Sequence, residues 1–258
     1  MELKELFLNL NAQWVRWSDY EIAEVSDVQY IRPVKVAEPI PYNCAEKPED
    51  LVVNALNAGM KIWHAAPDLD RACLDFARRY GLLGFGTSNT TAQNLFFGAG
   101  AQDERAESAG TSPYYNGVFS RSYGEPFDRF KAKFTAIYAH FLAAQGHISS
   151  PAEQEKLRKA WERDFSDGID GLTYQLTFGE KPELLWKPRN LLTVLRLAYS
   201  GAATDPAAPL KLCKFCGNAY YSTNPRSEFC SATCRNHFNV NTFRRRKKDA
   251  ETGSECND

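Results

Sequence analysis

Four cysteines in two close pairs are the residues of this sequence with the clearest capacity for chemistry. Cys213 and Cys216 form a C-x-x-C pair followed by Gly217, and Cys230 and Cys234 are four residues apart. Two thiolates at the first spacing can bind one ion if the backbone turns tightly, and a following glycine permits that turn. Four thiolates complete the tetrahedral shell of zinc and leave no open position. The pattern therefore predicts one structural Zn²⁺ ion.

The segments around these cysteines must bring the two pairs together. We expect Ser231 to cap a helix that carries Cys234 in its first turn, at the helix end that favours thiolates. Between the pairs, residues 219–222 and 228–229 flank a turn-forming stretch and predict a short β-hairpin. The tight turn at the C-x-x-C-G pair is here called the knuckle. A knuckle followed by a hairpin and then a helix is typical of a treble-clef-like zinc finger, which we place at residues 210–248.

Two other interpretations of the cysteines explain the pattern less well. Four reduced cysteines without a metal would leave the double pairing unexplained. A redox C-x-x-C pair belongs to a βαβ context of the thioredoxin type, and that context is not predicted around residues 213–216.

The C-terminal quarter of the chain resembles the zinc fingers of bacterial CGNR-type proteins and related regulators. Those fingers join a C-x-x-C-G knuckle through a hairpin to a Phe/Trp-Cys-Ser…Cys-Arg helix with a basic end. The matching residues here are Cys213, Cys216, Gly217, Phe229, Cys230, Ser231, Cys234 and Arg235. The chain has Arg235-Asn236 after Cys234, where the name-giving motif reads Cys-Gly-Asn-Arg, and its cysteine spacings are shorter. The resemblance thus indicates a sister family, and it implies DNA-binding transcriptional regulation.

The charge of the chain is unevenly distributed, although the net charge is only −1. Residues 206–248 contain nine Lys and Arg against one acid, Glu228, which gives a formal charge of +8. Four thiolates and Zn²⁺ together would carry −2, so the charge of this stretch with the metal is nearer +6. Residues 249–258 contain four acids. A strongly basic segment in an otherwise acidic protein is suited to binding a polyanion.

The helix after Ser231 is predicted to present two kinds of contact to nucleic acid. One helix face combines Arg235, Asn239, Thr242 and Arg246, a quarter-turn from Cys234 and Phe238. Arg and Asn pair with the edges of guanine and adenine, so this face is the predicted base-reading face. The basic run Arg244, Arg245, Arg246, Lys247 and Lys248 circles the helix and suits phosphates. The alternative is a solvated helix end.

The preceding 200 residues predict short helices and strands. Spacing of apolar residues predicts an amphipathic helix within residues 1–22, and residues 27–36 alternate as strands do. Cap residues and glycine stops predict helices over 48–59 and 67–80. Further helices are expected from Phe127 to about Gln145, from Ser150, and over 189–200. A hairpin is expected over 172–186, around Gly179.

An aromatic stripe on the helix after Pro126 stands beside a long Gly- and Ser-rich loop at residues 98–126. Its members are Phe127, Phe130, Phe134, Tyr138 and Phe141. Packing in the core is the default explanation for such a stripe. A ligand pocket walled by these rings and covered by the loop is the alternative, and it would make this part of the chain a sensor.

No catalytic motif is predicted. The glycines of residues 81–86 follow no strand and precede no lysine, so they form neither a dinucleotide fingerprint nor a P-loop. His64, Asp68 and Asp70 could be drawn as a metal set, but Asp68 is equally suited to cap a helix. We therefore expect no enzyme and no catalytic residue, with an unrecognised enzyme in the N-terminal domain as an alternative.

These features together predict an α+β protein with a mostly helical N-terminal sensor domain at residues 1–200. A linker at 201–209, the zinc finger at 210–248 and an acidic tail at 249–258 follow. We expect a transcriptional regulator that binds nucleic acid, with DNA as the expected target, one structural zinc ion and a small-molecule or protein effector. A zinc module for protein association is the alternative, and a homodimer is left open. The chain shows no signal peptide or apolar run that could span a membrane, so we expect a cytoplasmic protein.

Overall fold

The computed structural model describes residues 10, 13–25, 27–84, 124–148, 150–152, 154–155, 157–158, 171–178, 181–204, 210–224 and 226–254. The chain divides into two compact units, Met1–Gly201 and Ala202–Asp258. Helices and strands are mixed in both units, which agrees with the predicted α+β class. None of the helices in the described ranges combines the length and apolar composition needed to cross a membrane.

The first unit begins with strand β1 (Gln13–Trp17), which pairs antiparallel with β4 (Pro39–Asn43). The predicted helix within residues 1–22 is therefore wrong for its second half, whereas residues 1–9 lie outside the described residues. Trp14, Val15 and Trp17 are all buried, at 0–1% exposure. Because both faces of β1 are covered, its sequence lacks the alternation that marks a half-buried strand.

A three-stranded antiparallel sheet follows in the order β2 (Tyr20–Val25), β3 (Val28–Pro33) and β5 (Glu125–Pro126). The predicted strand in residues 27–36 is confirmed as β3. The β2–β3 hairpin turns at Asp27, whose φ of 62° lies in the left-handed region that Asp tolerates. Ile31 pairs with Glu125 and is fully buried, so the inner face of this sheet belongs to the core.

Three helices pack together beside these strands. They are α1 (Pro48–Trp63), α2 (Leu69–Tyr80) and α3 (Phe127–Ala144). These helices confirm the predictions made from the proline start of α1, the glycine stop of α2 and the aromatic stripe of α3. The predicted stop of α1 at Gly59 is wrong, because the helix continues to Trp63. Helices α1 and α3 cross closely at Gly59, where an added Cβ would lie 2.6 Å from the carbonyl oxygen of Phe134.

The aromatic stripe of α3 lies in the core of the first unit. Its five rings are at most 3% exposed, and Phe76 of α2 contacts Phe130 and Phe134 edge to face, with centroids 6.3 and 4.7 Å apart. The default explanation of the stripe therefore accounts for its burial. Most of the 98–126 loop, which we expected to cover a pocket here, lies outside the described residues.

The first unit also contains the predicted hairpin, formed by β6 (Leu172–Phe178) and β7 (Pro182–Pro188). Helix α4 (Leu191–Thr204) follows it. The predicted linker at 201–209 begins too early, because the last turn of α4 includes residues 201–204. Ala202, which follows the glycine, is buried, and the division of the chain assigns the last three residues of α4 to the second unit.

The second unit is built from strands β8 (Leu210–Leu212) and β9 (Ala219–Tyr221) and helix α5 (Ala232–Ser254). We predicted a hairpin between residues 219–222 and 228–229, and this pairing is wrong. Strand β9 pairs instead with β8, so the hairpin encloses the first cysteine pair rather than separating the two pairs. Knuckle, strands and helix are present, but the finer treble-clef assignment stays a prediction.

Candidate metal centre and basic helix

The first cysteine pair lies in the turn between β8 and β9. The N–H of Cys213 donates to Asn218 O at 2.9 Å, and the N–H of Gly217 donates to Cys213 O at 2.9 Å. Gly217 has φ of 73°, a conformation that glycine adopts without a Cβ penalty. These bonds produce the tight turn that the C-x-x-C-G pattern predicts.

The second pair is positioned by the start of α5. The N–H of Cys234 donates to the hydroxyl of Ser231 at 3.1 Å, and the N–H of Arg235 donates to Ser231 O at 3.2 Å. The prediction that Ser231 caps this helix is confirmed. The cap orients the first turn, and it leaves Cys234 one turn after Cys230.

Contacts between residues 211–220 and 227–228 hold the two pairs near each other. The N–H of Lys214 donates to Glu228 O at 3.0 Å, and the two side chains form an ion pair. The hydroxyl of Tyr220 donates to Ser227 O at 2.8 Å. The segment that precedes Cys230 is thereby fastened to the knuckle and to β9.

The four sulfurs of Cys213, Cys216, Cys230 and Cys234 lie within 4.8 Å of one another. The Cys216 and Cys230 sulfurs are 3.7 Å apart, and those of Cys230 and Cys234 are 3.5 Å apart. A tetrahedral zinc with bonds of about 2.3 Å requires sulfur–sulfur separations of about 3.8 Å. The donor set therefore fits a single zinc ion. It is also the only group of three or more potential ligands of this compactness among the described residues.

The thiols of this cluster differ in acidity. Burial opposes ionisation of Cys213, but N–H groups of Cys216, Cys230 and Phe215 donate to its sulfur and lower its pKa to about 6. Burial and the neighbouring thiols raise the pKa of Cys230 to about 12. Four thiolates this close repel one another strongly, so one can form readily and the others need a cation among them.

Cysteines outside the cluster have no such surroundings. Cys44 and Cys73 are buried, at 3% and 0% exposure, and burial raises the pKa of each thiol to about 12. Both therefore remain protonated side chains of the core. Cys256 lies outside the described residues.

Asp68, which the sequence offers with His64 as a candidate metal ligand, forms a different contact. Asp68 stands at the N-cap of α2 but makes no side-chain cap, and its carboxylate pairs with Lys61 at 2.5 Å. The hydrogen bond to Lys61 lowers the pKa of Asp68. The sequence allows Asp68 to be interpreted as a metal ligand or as a side-chain cap, but in the structure it forms an ion pair instead.

The residues predicted to contact nucleic acid all lie on α5. Arg235, Asn239 and the run Arg244, Arg245, Arg246 and Lys247 have exposed side chains, and Lys248 belongs to the same helix. Thr242 is only half-exposed, and its hydroxyl donates to Phe238 O at 2.9 Å. The predicted base-reading face is therefore interrupted by a residue that turns toward its own helix.

Sequence reasoning missed a second feature of this helix. A concavity of about 420 Å³ runs along another face of α5 and is lined by Thr233, Asn236, His237, Val240, Asn241 and Arg244. The ring of His237 stacks on Phe215 of the knuckle, with centroids 5.4 Å apart and planes at 13°. The four-residue spacing of Asn236, Val240 and Arg244 was the available signal. Spacing alone could not favour this face over the face that carries Arg235 and Asn239.

No known protein family, curated protein or solved structure matches this chain.

Proposed function

We propose that this protein is a zinc-stabilised nucleic-acid-binding protein of the transcriptional-regulator type, with DNA as its target. In this proposal Zn²⁺ is held by Cys213, Cys216, Cys230 and Cys234. The ion has no chemical step to perform, because four sulfur ligands complete its coordination shell. Its contribution is to fasten the start of α5 to the knuckle.

The observation that carries the proposal is the charge and exposure of α5. Between Ala232 and Lys248 the helix contains six Arg and Lys residues and no acid. Glu228, the single acid in residues 210–248, is already paired with Lys214. A polyanion therefore meets Arg235 near the start of the helix and the basic run from Arg244 to Lys248 further along, with no acid between them.

Binding of an effector to the first unit belongs to the same proposal. An open cleft of about 230 Å³ lies between β4, α1 and α2, where Lys47, Asp50 and Arg79 are among the lining residues. Charges of both signs in a cleft smaller than a typical drug-sized pocket suit a small polar molecule.

Removing cations from the helix tests nucleic-acid binding. The variant carries Arg245→Gln, Lys247→Gln and Lys248→Gln, and its control carries Arg71→Gln, Arg129→Gln and Lys181→Gln on exposed positions of the first unit. Affinity is measured for duplex DNA across a salt series. We expect the helix variant to bind all sequences more weakly and its salt slope to flatten by about 0.9 per lost phosphate contact. The control has the same net charge and is expected to keep the wild-type slope.

Protein association is the competing function, and one observation favours it. Phe243 is 69% exposed and Val240 is 46% exposed on the same helix. Exposed apolar side chains of this size are often buried in a partner. If the zinc-loaded protein retains neither duplex nor single-stranded nucleic acid at low salt, protein association replaces the nucleic-acid proposal.

A further inference from the structure

We propose that the exposed face of α5 formed between Thr233 and Arg244 reads base edges in the major groove of duplex DNA. This face, here called the α5 groove, comprises Thr233, Asn236, His237, Val240, Asn241 and Arg244. The inference rests on the proposed function and deepens it by assigning the nucleic-acid form and the specificity-determining residues. It replaces the base-reading face that the sequence predicts.

The dimensions and packing of α5 suit insertion into a groove. At 1.5 Å per residue, its 23 residues extend over about 34 Å. Beyond Cys234, only Phe238 and Thr242 are half-buried among the side chains described up to Lys247, and the rest are exposed. The major groove of B-DNA is about 12 Å wide and admits one α-helix, whereas the major groove of A-form RNA is too narrow.

The side chains of the α5 groove are those that distinguish bases. Asn236, Val240 and Arg244 form one row at four-residue spacing, and His237 and Asn241 form the adjacent row. Asn can bond adenine at two positions, Arg can bond guanine at two positions, and an aliphatic side chain can contact the thymine methyl group. All five side chains are exposed. The face therefore offers a contact for three of the four bases.

The opposite side of the helix is less suited to reading bases. At 100° per residue, Arg235 lies about 140° from Val240 and about 180° from Arg244, and Asn239 lies about 100° and 140° from the same two residues. Thr242, which would join them, is half-buried and donates its hydroxyl to Phe238 O. Arg235 and Arg246 remain available for phosphates that border the groove.

The knuckle gives the α5 groove a defined edge. Phe215 is 39% exposed and stacks on His237, so the His237 ring is held by a residue between two predicted zinc ligands. Zinc binding would thus position one wall of the reading face as well as the helix start. A groove that depends on the metal in this way is preorganised, which lowers the entropic cost of binding.

Selection from a randomised duplex library tests the assignment with the full-length, zinc-loaded protein. The enriched duplex and a scrambled duplex are then used to compare Asn236→Ala and Asn241→Ala with the control Asn239→Ala. Each groove variant is expected to lose about 5- to 150-fold in discrimination between the two duplexes, while affinity for the scrambled duplex is retained. The control is expected to discriminate as the wild type does. Zinc content and helicity verify that each variant is folded.

The possible outcomes separate the two proposals. If Asn239→Ala loses discrimination and the groove variants keep it, the opposite face reads bases and the inference is overturned. It is also overturned if duplex DNA binds without enrichment of any sequence, or if duplex RNA competes equally, although nucleic-acid binding itself then stands. If no nucleic acid is retained at low salt, the proposed function fails and the inference fails with it.

Discussion

Cysteine takes two opposite roles in this chain, and the difference is set by what surrounds each sulfur. Cys44 and Cys73 are buried, and burial raises the pKa of each thiol to about 12, which keeps it protonated. Cys213 receives backbone N–H donors that stabilise its thiolate, and three more sulfurs lie within reach. The same side chain is therefore a small hydrophobe in the first unit and a potential ligand in the second.

The first prediction at the residue scale concerns Cys216, which is exposed and whose sulfur lies 3.7 Å from the sulfur of Cys230. Cys216→Ser removes one of four ligands, so we expect zinc content to fall from one per chain and the second unit to unfold, since so small a unit has little core of its own. Elemental analysis and proteolysis measure the two effects. Cys44→Ala is the control, with zinc content unchanged. Full zinc occupancy and an intact second unit in Cys216→Ser would contradict the four-ligand site.

A second prediction at this scale concerns His140, whose Nδ1 lies 2.7 Å from the hydroxyl of Tyr199. Burial lowers the pKa of His140 to about 4, from its usual 6.5. The unfolded chain therefore binds this proton more readily than the folded chain. Stability that is present above pH 6.5 is expected to fall as the pH decreases toward 4.

His140→Asn keeps an acceptor near Tyr199 but cannot be protonated in this range. We expect this variant to be less stable at pH 7.5, with a smaller decrease in melting temperature between pH 7.5 and 5 than in the wild type. His147→Asn, at an exposed position, should retain the wild-type dependence. Equal pH dependence in His140→Asn and the wild type would show that other groups cause the acid destabilisation.

At the scale of elements, Glu125 connects three parts of the first unit. Its side chain is 4% exposed, accepts hydrogen bonds from the N–H groups of Leu83 and Gly84 at 3.1 Å each, and pairs with Lys133 of α3. The carboxylate thereby links three parts of the fold: strand β5, residues Leu83 and Gly84 after α2, and helix α3. A buried carboxylate with this many hydrogen-bond donors specifies how these elements meet.

Glu125→Gln tests this connection, because it removes the charge and keeps the size of the side chain. We expect the free energy of unfolding to decrease by about 3–5 kcal/mol, since the amide oxygen can still accept from Leu83 and Gly84 but the amide NH₂ then faces Lys133, which loses its partner. Denaturant unfolding measures the change. Glu125→Gln combined with Lys133→Met should recover part of the loss. Additive effects of the two substitutions would mean that the ion pair contributes nothing beyond the separate side chains.

At the scale of the whole molecule, stability has two different sources. The first unit buries large aromatic and aliphatic side chains, including Trp14, Trp17, Phe130 and Phe134. The second unit is small, and in it only Ala202, Leu210, Cys213, Ala219 and Tyr220 are buried hydrophobic residues of the described part. We therefore expect the second unit to depend on a bound metal for its fold, whereas the first unit should not.

Chelation is therefore expected to separate the two units. Incubation with a strong zinc chelator should abolish nucleic-acid binding and make residues 210–254 sensitive to protease, while the melting of the first unit is unchanged. Returning zinc, but not magnesium, should restore both properties, because thiolates prefer zinc over a hard cation. If the first unit melts at a lower temperature after chelation, the two units share stability and the separation is wrong.

Sequence alone determined the features that depend on local chemistry. A few neighbouring residues are enough to determine the cap at Ser231, the start of α1 at Pro48, the glycine stop of α2 and the turn that brings Cys213 near Cys216. Such signals are independent of what packs nearby. The β6–β7 hairpin was predictable for the same reason, because its strands are joined by a short turn.

Tertiary structure decided the features that depend on distant partners. Strand β1 looks helical in sequence because packing covers both of its faces, and β9 pairs with β8 because the knuckle turn brings those two segments together. The face of α5 that is concave and exposed is likewise set by contacts of Phe215 and Phe238, which helical spacing cannot rank. Periodicity shows which residues share a face, but only packing determines which face is left for a partner.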